Sequence, residues 1–414
     1  MSDFEEYVLG EHIESLSGFP FSSEMFSIED GVPLIRIRDV TDNETPDVFY
    51  KGEYSDLYLI ENDDVLIGMD GDFHIVRWKG GEGVLNQRVL KIFEKPNSEL
   101  DMNFVFYWLA DFLPKLNAIT AATTVKHLSV KDIATAVVKA PSKAAQTKIG
   151  KILLTIDNQI DATQALIDKY TAIKQGMMAD LFSRGIDSET KALRPTFEEA
   201  PELYHKTPLG ILPKEWNVKT LGDISEKITS GSRDWAKFYS SEGDLFVRIS
   251  NLTREHVNFR WHSVKYVNIG GGSEGERTQL QPGDILVSIT ADLGIVGVVP
   301  GDMGRAYINQ HTALIRLSTD GENARFIGNY LSSRRGQEQF EKNNDSGAKA
   351  GINLPTIASL RCPIPEEKEQ ILIASKIDAL DEVIADLKRE KSKSISLKQG
   401  LIQDLLTGKV PVPA

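Results

Sequence analysis

At 414 residues and 46.0 kDa the chain exceeds what one hydrophobic core serves, so two or three domains are expected. Apolar residues at 41% and charged residues at 26% exclude a disordered polypeptide, and the longest apolar stretch, 285–299, is too short for a bilayer and carries Asp292. A single cysteine, Cys362, excludes an internal disulfide, a Cys-rich zinc site and a Cys-x-x-Cys pair; with an acidic N-terminal segment, this reads as a cytoplasmic protein.

Taken in chain order, strand-like runs at 34–40, 64–69 and 85–93 are bounded by Gly, Asp, Asn or Pro. A short helix at 103–113 closes a first mixed α/β domain, 1–140. Residues 141–186 predict a long helix, with a three-four spacing through Ile149, Leu153, Ile156, Ile160, Thr163, Ile167, Tyr170, Lys174, Met177 and Leu181. Residues 187–215, with Pro195, Pro201, Pro208 and Pro213, read as a connector. Runs at 245–249, 285–289 and 313–317, then a helix at 324–333, mark a second α/β domain, 216–364. Residues 365–414 predict a second long helix and tail, on Ile373, Ile377, Leu380, Ile384 and Leu387, with a polar seam at Lys391, Ser394 and Lys398. Each rod is roughly 60 Å long at 1.5 Å per residue.

An internal repeat governs this order. Lys174-Gln175-Gly176 recurs as Lys398-Gln399-Gly400, and Pro141, Gln146 and Asp157 match Pro365, Gln370 and Asp381, all 224 positions apart. Upstream the offset drifts, from 212 at Leu9-Gly10 and Leu221-Gly222 to 223 at Asn86-Gln87 and Asn309-Gln310. The chain is therefore two copies of one unit, a length-variable domain followed by a length-fixed helix. Two matching stripes in one chain favour a coiled-coil pairing of the helices. The fold class is α+β: two mixed α/β domains separated by two long helices, with a pseudo-two-fold repeat.

Charge is unevenly placed. Residues 1–140 hold 12 basic against 25 acidic side chains, the whole of the net −13, while the remainder balances. That argues against loose, unspecific attraction to nucleic acid. The usual catalytic constellations are missing as well. No Gly-x-x-x-x-Gly-Lys-Ser/Thr cradle for ATP and no Asn/Asp-Pro-Pro-aromatic pocket for amino methylation occurs. The seven histidines lack metal-ligand spacing, and His256 and His262 read as surface residues. Asp63, Asp64, Asp70 and Asp72 suggest a cation site, but Asp64 has its twin in Asp284 at a turn before a strand, where Asp is structural. No catalytic residue, metal or cofactor is expected in the chain itself.

The two Lys-Gln-Gly helices, the entry Leu212-Pro213-Lys214-Glu215-Trp216, and the segments Gly71-Asp72-Phe73 to Trp78, Leu85-Asn86-Gln87-Arg88 and Gly231 to Tyr239 carry a resemblance. The chain resembles, over nearly its whole length, the DNA-specificity subunit of type I restriction–modification enzymes. The resemblance implies that each variable domain is a target-recognition domain reading half of a split double-stranded DNA target, and that the helices set the gap. It implies docking of two methyltransferase subunits that use S-adenosylmethionine, which an ATP-dependent endonuclease subunit can join. It also implies a non-catalytic chain.

Base-reading chemistry favours Arg on guanine and Asn or Gln on adenine. On that ground Ser232, Arg233, Lys237 and Lys349 are the candidate DNA contacts of the second domain, and Arg77, Lys79 and Lys126 those of the first. Trp78 and Trp235 read as packing anchors, and Arg36 and Arg248, at equivalent positions, as structural. The alternative is a non-catalytic coiled-coil scaffold or an acidic DNA-mimic decoy acting on such complexes. A decoy would need acidity throughout, and residues 141–414 are neutral.

Overall fold

The computed structural model describes residues 4–40, 46–119, 126–269, 274–318, 323–343 and 351–412. They fall into two compact units, 1–164 with 389–414, and 165–388. The cuts after Gln164 and Lys388 lie inside the two long helices, Lys143–Arg184 and Glu367–Leu406, and are themselves 224 positions apart. Each unit thus holds one globular domain, part of one long helix and the complementary part of the other.

The packing explains why the units do not stop at 140 and 364. In the first unit Ile149 and Leu153 of the first long helix share a core with Leu405 and Leu406 of the second. In the second unit Leu181 and Phe182 share a core with Ile373 and Ile377. Burying each such side chain contributes about 1.5–3 kcal/mol, so a helix end is part of its domain's core as well as of a rod.

The first unit begins by closing on itself. Strand Glu5–Val8 pairs antiparallel with Val137–Ala140, immediately before the long helix. An antiparallel sheet follows in the order Ile13–Ser17, Val89–Glu94, Val65–Gly68, Ile75–Arg77. A second sheet carries Val32–Ile35 parallel to Gly83–Leu85. The second unit repeats each step: Asn217–Thr220 pairs with Arg361–Ile364, the order is Ser225–Ser230, Thr312–Leu317, Ile285–Ser288, Val296–Val298, and Asp244–Val247 lies parallel to Ala306–Ile308. Helices Met102–Ile119 and Ala324–Ser332 stand where short closing helices were expected.

Two strand runs are shorter than the sequence suggests. The run at 34–40 turns into a 3-10 helix at Ile37–Val40, because the Asp39 carboxylate accepts from the Arg36 amide at 2.8 Å. The run at 85–93 is two strands, since Asn86 turns the chain between Gly83–Leu85 and Val89–Glu94.

The long helices start and stop alike. Gln146 donates to the Pro141 carbonyl at 2.8 Å and accepts from the Asp101 amide at 2.9 Å; Gln370 does the same to Pro365 and Asn323 at 2.9 and 2.8 Å. Gly185 and Gly408, at φ of 65° and 71°, end the two rods in the left-handed conformation.

Within each unit the helix segments run antiparallel and bond across the seam. In the first unit Lys398 pairs with Asp157 at 2.6 Å, and Lys391 bonds Gln164. In the second Lys174 pairs with Asp381, both buried. The seam residues Ile149, Leu153, Ile156, Ile167, Ile373 and Ile377 are buried, whereas Ile160, Leu380, Ile384 and Leu387 are half-buried. The stripe slips by one at Asp381, which takes the buried place expected for Leu380. The polar residues Lys391 and Lys398 find polar partners across the seam, an arrangement that specifies register at a cost in stability.

The connector is not a loose linker. Arg194 reaches Glu369 at 2.5 and 3.0 Å and Glu215 at 2.9 Å, and Trp216 donates to Glu369 at 3.1 Å. A hairpin, Tyr204–Thr207 with Gly210–Pro213, fills the span between. Its prolines lie in and beside paired strands, and the buried Glu369 carboxylate, almost wholly desolvated, is satisfied by three donors from this segment and Ile186. Among the described residues no helix is long and apolar enough to cross a membrane.

Candidate nucleic-acid interface

Each unit carries the same turn at the end of its parallel strand. In the first, the Asn86 carbonyl oxygen of the side chain accepts from the Gln87 amide at 2.7 Å; in the second, Asn309 accepts from the His311 amide at 3.2 Å. A glycine presses on each turn. A Cβ on Gly18 would lie 2.1 Å from the Asn86 carbonyl, and one on Gly231 2.2 Å from that of Asn309, so only glycine fits. The next residue forms an isolated parallel bridge in both cases, Phe19 with Asn86 and Ser232 with Asn309.

The residues that follow these turns in the chain are polar. Gln87 and Arg88 are exposed, with Arg88 3.6 Å from Asp70 and His127 bonded to the same carboxylate at 2.6 Å. At the equivalent place His311 contacts Thr290 at 2.7 Å and Gln310 at 3.0 Å. An amide nitrogen only donates, so His311 Nε2 accepts from Gln310 and its Nδ1–H donates to Thr290. That contact holds the Gln310 carboxamide against the His311 ring.

The expected contact residues fall into two groups. In the second domain Ser232 accepts from Arg277 at 2.9 Å, while Arg233 and Lys237 are exposed and Lys237 lies over the Phe238 ring at 4.8 Å. Lys349 lies outside the described residues. In the first domain Arg77 is held by Asn103 at 2.7 Å and sits over Phe106 at 5.2 Å; Lys79 pairs with Asp161, and Lys126 bonds the Asn117 carbonyl at 2.5 Å. These three bond within their own domain and helix, whereas Ser232, Arg233 and Lys237 stand together on one loop.

Phe19, Gln87, Arg88, Arg277, Gln310 and His311 were not anticipated as a surface. The signal was present: Asn86-Gln87 and Asn309-Gln310 mark the repeat at offset 223. Trp78 and Trp235 are buried, as anchors should be. Arg248 donates to the Ser263 carbonyl at 2.9 Å, and Arg36 pairs with Asp47, both local roles. Asp64 pairs with Lys91 at 2.6 Å and Asp284 with Arg316 at 2.7 Å, each also capping its own turn, which is the structural role read from the repeat.

His256 departs from the surface reading. It is half-buried, donates to the Asn258 carbonyl at 3.0 Å, and follows Glu255, whose carbonyl accepts from Lys174 at 2.7 Å. Burial pushes its pKa below the usual histidine value, against the pull of Asp381. Burial likewise raises the Asp381 carboxyl, with Lys174 opposing.

Fold and surface together define a duplicated protein, with two like domains whose frames agree and whose side chains at the equivalent turns differ. Residues 1–171 and 213–397 match the family described as "Type I restriction modification DNA specificity domain", and the chain belongs to that family. It is similar to the type I restriction enzyme EcoBI specificity subunit of Escherichia coli, 26% identical over 94% of this chain and 82% of that one. The MjaVIII specificity subunit of Methanocaldococcus jannaschii is 23% identical over 86% and 80%. Among solved structures, the type I restriction-modification S subunit from M. genitalium superposes with a TM-score of 0.64, at 13% identity over 99% of this chain and 97% of the other. Membership makes this chain a DNA-specificity subunit, a non-catalytic component whose methyltransferase is a separate subunit.

Proposed function

We propose that the chain reads a split double-stranded DNA target, one half-site per domain, with the paired helices fixing the gap. It docks two methyltransferase subunits, which bring S-adenosylmethionine, and an ATP-dependent endonuclease subunit joins in the cutting form. The observation that carries this reading is the duplicated ion pair, Lys174 with Asp381 and Lys398 with Asp157, every member 224 positions from its twin. A chain built of two equal units presents every partner surface twice. On the helices Ile173 and Leu397, also 224 apart, are 43% and 57% exposed. Beside them Gly176 and Gly400 have nothing within 4 Å of an added Cβ, although helix-interior glycine costs about 1 kcal/mol against alanine. Such twinned glycines suit the close approach of a partner's backbone.

Co-expression with the cognate methyltransferase, followed by sequencing of methylated adenines, tests the reading. The expected motif has two short specified halves and a constant unspecified gap. A continuous motif, or methyl transfer that scales with the pure chain alone, overturns it.

A further inference from the structure

The two domains share a frame, yet their half-sites need not be alike, so the side chains that differ on that frame should carry the difference. We propose that the residue following the pressed glycine is the reader, and that Phe19 reads a thymine methyl in the first half-site. This rests on the split-target reading above. Gly18 and Gly231 occupy one place: Gly18 donates to the Val89 carbonyl at 2.9 Å and Gly231 to the Thr312 carbonyl at 3.3 Å, and the bridges of Phe19 and Ser232 to the Asn turn repeat. What lies on the frame is opposite in chemistry. The second domain presents Ser232 and the exposed Arg233. The first presents Phe19 and Pro20.

Phe19 is 43% exposed, although its ring packs on Phe21 and Tyr58 at 5.2 Å from each. Those neighbours pack against the ring while it stays partly exposed, and its backbone bridges Asn86, the residue before the exposed Gln87. A rigid apolar edge next to hydrogen-bonding groups suits the major-groove face of a T·A pair, whose distinguishing feature is the methyl. A reader that works by apolar contact needs no local positive charge, and its immediate surroundings need contribute only Gln87 and Arg88.

The test uses the assembled complex with target DNA in which each thymine is replaced in turn by uracil. Losing one methyl contact weakens binding roughly fourfold, from about 0.8 kcal/mol per buried carbon. The expected result is one sensitive position, in one half-site, with Phe19→Ala insensitive there and relaxed in specificity. Arg233→Ala should relax the other half-site. No uracil effect at any position, a first half-site without T·A, or an unchanged motif for Phe19→Ala overturns the assignment while the split target stands. A wild-type complex that methylates no split target overturns the functional reading and this one together. Because the uracil series leaves the protein untouched, an absent effect overturns the assignment even if Phe19→Ala folds poorly, and Phe19→Leu, which keeps an apolar side chain, then stands in for it.

Discussion

Lys174 of the first long helix and Asp381 of the second form a buried ion pair, and their twins Lys398 and Asp157 form it again with the helices exchanging roles. The surroundings are unequal. Lys174 and Asp381 side chains are 8% and 4% exposed, whereas Lys398 and Asp157 are 27% and 24% exposed and Asp157 also accepts from Tyr107 at 2.7 Å. Removing one partner of a buried pair strands the other charge at about 3–5 kcal/mol, while a more solvated pair is worth about 1 kcal/mol. Lys174→Met should therefore lower thermal stability far more than Lys398→Met, and Lys174→Met with Asp381→Leu should recover much of it. Equal losses in differential scanning calorimetry would contradict this account.

His256 gives the second unit a pH dependence. Its pKa is lowered on folding, so the unfolded chain binds the extra proton between the lowered value and the usual 6.5. Stability is present above pH 6.5 and is lost as the pH falls through the folded value. Asp381, raised on folding, acts with the opposite sign in a window that opens at 3.8. Melting curves from pH 7 to 5.5 should show a decline that His256→Gln reduces. Parallel curves for the two proteins would remove His256 as the cause.

The twinned Ile173 and Leu397 make a stoichiometric prediction. If each marks one methyltransferase site, Ile173→Glu should leave a complex with one methyltransferase, and Leu397→Glu the same. The double variant should retain none. Native mass spectrometry of co-expressed subunits counts them directly, and full occupancy in the double variant would place docking elsewhere.

Much of this organisation is legible in the sequence because helices transmit register. Forty residues without insertion keep Lys174, Lys398, Asp157 and Asp381 at one offset, and the repeat is visible in letters alone. Their pairing is not legible. Asp157 and Asp381 sit one place beyond the apolar positions Ile156 and Leu380, and a heptad reading assigns them to the flank. The readers proposed at the turns are harder still to see. Phe19 has no periodicity to mark it, and its meaning comes only from Gly18 touching a turn some seventy residues later in the chain. The partners of the first-domain lysines are not legible either, since Lys79 meets Asp161 only once the helix lies against the domain.

If the helices set the gap, the unit boundaries are where to lengthen them. Inserting one heptad after Gln164 and another after Lys388 lengthens both helices where the units divide, leaving each unit's own contacts intact. Seven residues add roughly 10 Å of rise, which is about three base pairs of B-form DNA. The methylated motif should keep both halves and gain about three unspecified positions. An active complex with an unaltered gap would mean that the helices do not set it.

The duplication finally predicts what residues 1–200 do alone. That fragment keeps the first domain but loses Leu401, Ile402, Leu405 and Leu406, which complete its core. It would expose an apolar face that soluble monomers seldom tolerate. A second copy can supply the missing side chains, because Met177, Met178, Leu181 and Phe182 stand 224 positions before the lost four and perform that service in the second unit. Lys174 of one copy would then meet Asp157 of the other, in the place of Lys398. Tyr107 already holds Asp157 in position for it. The resulting dimer is two-fold symmetric, so its target should become a split palindrome built from the half-site of the first domain. Light scattering of the fragment and methylation mapping with the methyltransferase test both steps. Asp157→Asn should weaken the dimer, since the incoming Lys174 would lose its counter-charge. A stable monomer, or a dimer that directs methylation to unlike halves, would show that the two units are not equivalent.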